Sequence, residues 1–117
     1  MYKKKFKARI YVWVLAIIRY VDDLPKDMSS QIFAKQLIRS STSVIANYVE
    51  EDSASSRKDF INFFTYSLKS ANESKVWLAL IRDTKRAPSD STDKLLDELT
   101  QIAKILATSI LTLKGKR

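Results

Sequence analysis

Arg39-Ser40-Ser41-Thr42-Ser43-Val44-Ile45-Ala46-Asn47-Tyr48-Val49-Glu50-Glu51 reads as the inside of a helix that carries a run of small hydroxyl residues. Serine, threonine and asparagine lose helix propensity because their side chains compete for backbone hydrogen bonds. A helix that keeps them at 40–43 is held by its surroundings, and side chains this small let a neighbouring helix approach closely. Asn47 and Glu50 fall one turn apart on one side of the same helix. The signature is one of packing and polar contact, with no catalytic motif in it.

Periodicity along the chain gives four helices, of which that stretch belongs to the second. The first spans about residues 6–21, with Ile10, Trp13, Val14, Ile17, Ile18 and Val21 on one apolar face. Asp22-Asp23-Leu24-Pro25 ends it, because the residue before a proline avoids the helical region. The second covers about 29–51, capped from Asp27, Ser29 or Ser30. Its inner face is Ala34, Leu37, Ser41, Val44, Ile45 and Tyr48. Ser56-Arg57-Lys58-Asp59 has the Ser-x-x-acid form that opens a helix, and the third runs about 57–86 until Pro88 stops it. It buries Phe60, Phe63, Phe64, Ser67, Ala71, Ser74, Leu78 and Ile81. The fourth, about 91–113, is capped from Ser89, Asp90 or Ser91. Its stripe is Leu95, Leu99, Ile102, Leu106, Ile110 and Leu113, and Gly115 lies just beyond. Four helices with short connections predict an all-α, antiparallel up-down four-helix bundle, formed by residues 1–117 as one domain.

Composition narrows the chemistry. The chain of 117 residues has no Cys and no His, one Gly and two Pro. Disulfides, thiolate metal sites, the usual triads and the commonest neutral-pH base are excluded, as are phosphate-binding and dinucleotide glycine loops. No catalytic residue and no cofactor is expected. The acidic run Glu50, Glu51 and Asp52 lacks the histidines of a di-iron bundle and is better read as a solvated helix end. No metal site is expected. The apolar run Ile10–Ile18 is too short for a membrane span, which needs about 20 residues. Arg19-Tyr20-Val21-Asp22-Asp23 offers no small-residue cleavage site for export. The expected location is the cytoplasm, with no membrane partner.

The net charge is +8. Basic residues gather at Lys3, Lys4, Lys5, Lys7, Arg9 and Arg19, again at Lys69, Lys75, Arg82, Lys85 and Arg86, and finally at Lys114, Lys116 and Arg117. Such an excess favours a polyanionic partner, set against the plain alternative of a solubilising surface. Lys3, Lys4, Lys5, Lys7, Arg82, Lys85 and Arg86 are the candidate nucleic-acid contacts. Trp13, Trp77, Phe60, Phe63 and Phe64 are read as core or subunit interface in preference to base-stacking platforms. Asn47 and Glu50 are expected to meet the third helix at Arg57 or Glu73. With Arg39 they give a structural polar motif of Arg39, Asn47, Glu50 and Glu73.

The order of several short pieces carries a resemblance. Leu24-Pro25, Ala34-Lys35-Gln36-Leu37, Arg39-Ser40, Thr42-Ser43, Ala46-Asn47-Tyr48 and Glu50 resemble the second-helix signature of the four-helix-bundle proteins encoded in 23S rRNA intervening sequences. Ser56-Arg57-Lys58-Asp59-Phe60 resembles the start of that family's third helix, and Leu68-Lys69, Ala71, Glu73 and Trp77-Leu78 its continuation. Two positions depart from the pattern. Glu51 stands where relatives have Gly or Ala, and Val49 where many have Arg. The resemblance implies a small bacterial cytoplasmic protein without known enzymatic activity, assembled as a ring-shaped homopentamer. The related accessory proteins of diversity-generating retroelements bind nucleic acid and a reverse transcriptase through a basic surface. The expected function is therefore non-enzymatic RNA or other nucleic-acid binding by a homo-oligomeric ring. The alternative is a protein-interaction scaffold, such as an accessory subunit of a retroelement reverse transcriptase.

Overall fold

A computed structural model describes residues 2–50 and 54–115, with side chains from Lys4 onward in the first helix. It contains α1 (Tyr2–Asp22), α2 (Met28–Glu50), α3 (Arg57–Asp83) and α4 (Ser89–Leu113), and no strand among the described residues. The four form an elongated bundle with extents of 45 × 23 × 22 Å. Each of α1 and α3 packs on α2 and α4, while the diagonal pairs have no close backbone approach. Partner positions run in opposite directions across every seam. Arg57 donates to the Leu113 carbonyl and Arg82 to Asp93, and Trp13 reaches the Leu95 carbonyl while Tyr20 bonds Thr92. The bundle is antiparallel throughout.

The hydroxyl run explains the tightest seam. Ser40 and Val44 of α2 and Ser67, Ala71 and Ser74 of α3 have no exposure, and neither has Ser41, which donates to the Ile38 carbonyl of its own helix. The Ser40 and Ser74 hydroxyls share a 2.8 Å hydrogen bond, and Ser67 donates to the Val44 carbonyl at 2.7 Å. Thr42 and Ser43 turn back to the Ile38 and Arg39 carbonyls at 2.7 and 2.8 Å. Buried hydroxyls are costly unless bonded. Here the donors are satisfied across the seam or one turn back, so small volume brings the helices together at no polar cost.

The core extends this seam through Ile10, Ile17, Leu37, Leu78, Ile81, Leu99, Ile102 and Leu106, all without exposure. α1 departs from its predicted face. It starts at Tyr2 and not at about residue 6, it buries Phe6 and Tyr20, and Ile18 points to solvent; Leu24, in the loop that follows, is buried as well. The inward stripe follows Phe6, Ile10, Trp13, Ile17 and Tyr20, where a polar-tipped tyrosine finds Thr92 at 2.6 Å. Ile18 lies on the far side of that stripe.

Helix ends also differ. Asp27 caps α2: it takes the Ser30 hydroxyl at 2.5 Å and the Arg86 guanidinium at 3.0 Å. The Ser30 hydroxyl, then the Arg86 guanidinium, hold the Asp27 carboxyl at about 2. Because this value lies below the unfolded one, the contribution is present above about pH 4 and lost as pH falls toward 2. Thermal melts between pH 4 and 2 should show a declining midpoint that Asp27→Asn flattens. α3 ends at Asp83, short of the predicted 86. The N–H groups of Lys85 and Arg86 return to the Arg82 and Ile81 carbonyls, with Lys85 at φ 60. This is the left-handed C-terminal reversal usually assigned to glycine. α4 opens on Pro88 without a side-chain cap. Ser91 and Thr92 donate back to the Pro88 carbonyl instead of accepting from the first turn. At α3 the predicted cap is present, since the Asp59 N–H donates to the Ser56 hydroxyl at 3.1 Å.

Candidate functional site

Antiparallel packing decides which basic residues are neighbours. The start of α1, the end of α2, the start of α3 and the end of α4 share one end of the molecule. The 23–27 loop and the 84–88 turn share the other. Lys4, Lys5 and Lys7 are therefore separated from Arg82, Lys85 and Arg86 by most of the long axis.

The half built from residues 4–11, 41–50, 57–72 and 99–115 carries nine cations: Lys4, Lys5, Lys7, Arg9, Arg57, Lys58, Lys69, Lys104 and Lys114. Against them stand only two carboxylates, Glu50 and Asp59. The half built from residues 12–40 and 73–98 carries nine cations and nine carboxylates. Among the described side chains, all of the net positive charge lies on one half of the bundle. Lys3, Glu51, Asp52, Lys116 and Arg117 have side chains outside the described set.

Local pairing sharpens the contrast. Arg82 donates to Asp83 and to Asp93, each at 2.9 Å, and these two carboxylates raise its pKa. Arg86 donates to Ser30 and Asp27 at 3.0 Å and lies over the Phe33 ring at 5.6 Å. Both guanidinium groups join helix ends. Lys85 is exposed on the same turn. In the basic half, Lys4, Lys5, Lys7, Lys58, Lys104 and Lys114 are exposed lysines. Arg9 is tied to Glu98 at 2.6 and 2.8 Å and to Gln101 at 2.6 Å. The hydrogen bond to Arg9 lowers the Glu98 pKa. Arg57, Lys58, Lys104 and Lys114 were not among the predicted contacts. Their signal is topological: Arg57, Lys58 and Lys114 sit at helix ends that an up-down bundle places beside the N-terminal lysines, and Lys104 lies in the same half of α4.

The predicted polar motif divides. Arg39 pairs with Glu73 across the α2–α3 seam, and the Trp77 indole N–H donates to the same carboxylate at 3.0 Å. Asn47 instead donates to the Ser43 carbonyl of its own helix at 2.9 Å, and Glu50 is exposed at the end of α2. Among the described residues no hydrogen bond takes either to Arg57 or Glu73. A short amide on a half-buried helix face reaches the carbonyl one turn back sooner than a side chain across the seam.

An apolar groove of about 700 Å3 opens in the basic half between α1 and α4, over Phe6, Tyr48, Phe60 and Phe64. Tyr48 and Phe64 are stacked at 5.5 Å, with Phe6 edge-on to Tyr48 at 5.2 Å and Phe60 tilted on Phe64 at 5.0 Å. Arg9, Gln101 and Lys104 stand on its rim. Trp13 and Leu78 belong to the core, and Trp77 packs against it. Among the described residues no group of three acids, histidines or cysteines is placed to hold a metal ion. No helix of the described residues is long and apolar enough to cross a membrane.

Residues 5–108 match the model of the 23S rRNA-intervening sequence protein family. The fold is similar to the crystal structure of a protein of unknown function from the S23 ribosomal protein family of Bacteroides thetaiotaomicron. The TM-score is 0.86 at 31% identity, covering 94% of this chain and 98% of that one. No curated protein matches. A match over most of the chain, and a bundle that superimposes over nearly its full length, lead to one conclusion: the chain belongs to the 23S rRNA-intervening sequence protein family.

Proposed function

We propose that this chain is a non-enzymatic, cytoplasmic RNA-binding protein that lays its basic half against the phosphate backbone and works as a homo-oligomeric ring, with five copies expected. The segregation of charge carries the reading. Lysine and arginine neutralise phosphates with little base specificity, and binding of this kind weakens steeply with salt. Exposed lysines at the start of α1, the start of α3 and the C-terminal part of α4 offer such contacts, whereas the paired arginines of the opposite end do not.

A ring is supported by two apolar faces. Tyr11, Val12, Leu15 and Ile18 form an outward stripe on α1, with Val12 63% and Tyr11 57% exposed. Tyr66, Val76 and Leu80 lie outward on α3, with Val76 54% exposed. α1 and α3 are diagonal in the bundle, so the two stripes face opposite sides. Two different faces on opposite sides suit a head-to-tail contact, which closes into a ring when the rotation permits. Cyclic symmetry would present every basic half to the same side, and linked weak sites gain avidity.

Two measurements test the proposal. Light scattering in high salt after nuclease treatment should give a mass of several chains, and Leu15→Glu should reduce it to one. A single-chain mass for the unaltered protein removes the ring. Fluorescence anisotropy with a labelled RNA should give log affinity falling linearly with log salt. No binding even at low salt ends the RNA reading.

A further inference from the structure

We infer that the RNA held at this end is single-stranded, with an unpaired base seated in the aromatic groove between α1 and α4. This rests on the RNA reading above and specifies its ligand.

The groove and the charge are joined. Arg57, Lys58 and Lys114 surround a second depression beside it, with Asn62 and Thr65 on its wall. A small cleft between the two is lined by Arg57, Phe60 and Leu113. Phe60 and Leu113 also line the groove, and Arg57 also lines the depression. Cations for a phosphate and an aromatic wall for a base are thus adjacent, one helical turn apart along α3. Proteins that bind single strands combine these parts: a positive track for the backbone and ring faces on which bases stack.

The groove is available because α1 and α4 share the most sparsely packed of the four helix seams. Phe60 is only partly buried at its mouth, while Phe64 and Tyr48 lie deeper. Lys104 on the rim adds charge complementarity for the adjoining phosphate. A duplex keeps its base faces stacked within the helix, so it engages the cations alone. A single strand engages both.

The test compares an oligouridylate with a blunt RNA duplex of equal phosphate count, on the full chain. The unaltered protein should prefer the single strand. Phe60→Leu, which keeps an apolar filler and removes the ring, should weaken oligouridylate binding about tenfold and leave duplex binding unchanged. Phe60→Trp supplies a second readout, with oligouridylate quenching the added indole and duplex not doing so. Equal affinity for both RNAs, together with no effect of Phe60→Leu, overturns the groove assignment and leaves the electrostatic reading standing. Absence of binding to either RNA at low salt overturns both. Quenching of the Phe60→Trp indole by oleate but not by oligouridylate would make the occupant a lipid acid, and the base assignment would fall.

Discussion

Ala71→Leu should drive α2 and α3 apart and be the most damaging single apolar substitution in the seam. Ala71 has no exposure and lies on α3 between Ser67 and Ser74, each hydrogen-bonded to α2. Three added carbons have no space to enter. Overpacking of a dense core costs about 1–3 kcal/mol. Ser40 and Ser74 keep the Leu37 and Ser70 carbonyls of their own helices, but loss of the Ser67–Val44 bond would leave the buried Ser67 hydroxyl unsatisfied at about 1–3 kcal/mol more. Against a total stability of about 5–15 kcal/mol for a domain, that is a large fraction. Thermal denaturation should show a midpoint lower by about 10 °C or more. The same change at the exposed Ala46 should stay within about 0.5 kcal/mol. An Ala71→Leu protein that melts like the parent would mean that the hydroxyl run does not set the helix separation.

The combined substitution Lys4→Glu, Lys5→Glu and Lys7→Glu should have the largest effect on RNA binding. All three side chains are exposed on the basic half. Each lost phosphate contact lowers the slope of log affinity against log salt by about 0.7–0.9, so the slope should fall by about 2. Lys26→Glu, Lys35→Glu and Lys94→Glu make the same charge change on the neutral half, where cations and carboxylates are matched. That variant should retain most of the affinity. Equal losses from the two variants would point to diffuse attraction by net charge, and the basic half would have no special role.

Much of the architecture was legible in the linear order of residues. Apolar residues at helical spacing, Pro25 and Pro88 as stops and Ser56 as a cap identified four helices in their observed order. The hydroxyl run at 40–43 marks a close seam without identifying the partner helix. Errors clustered where a local signal was overridden. Lys85 adopts a conformation expected of glycine and ends α3 early. Ser91 and Thr92 bond backward and leave α4 without its expected cap. Ile18 looked apolar enough to be core, yet Tyr20 takes the inward place because Thr92 satisfies its hydroxyl.

The candidate surface was less legible, because charge in a sequence has no direction. Lys4 and Arg86 counted alike as cations until the fold set them at opposite ends and gave Arg86 to Asp27. Arg57 and Lys114 lie far apart in the chain and border one depression. Helix number, helix order and the small-residue seam follow from local periodicity and volume, which are properties of neighbouring residues. The division into a neutral half and a basic half, and the groove beside the latter, come from which helix ends meet. That depends on long-range packing, where burial of apolar faces decides which charges become neighbours.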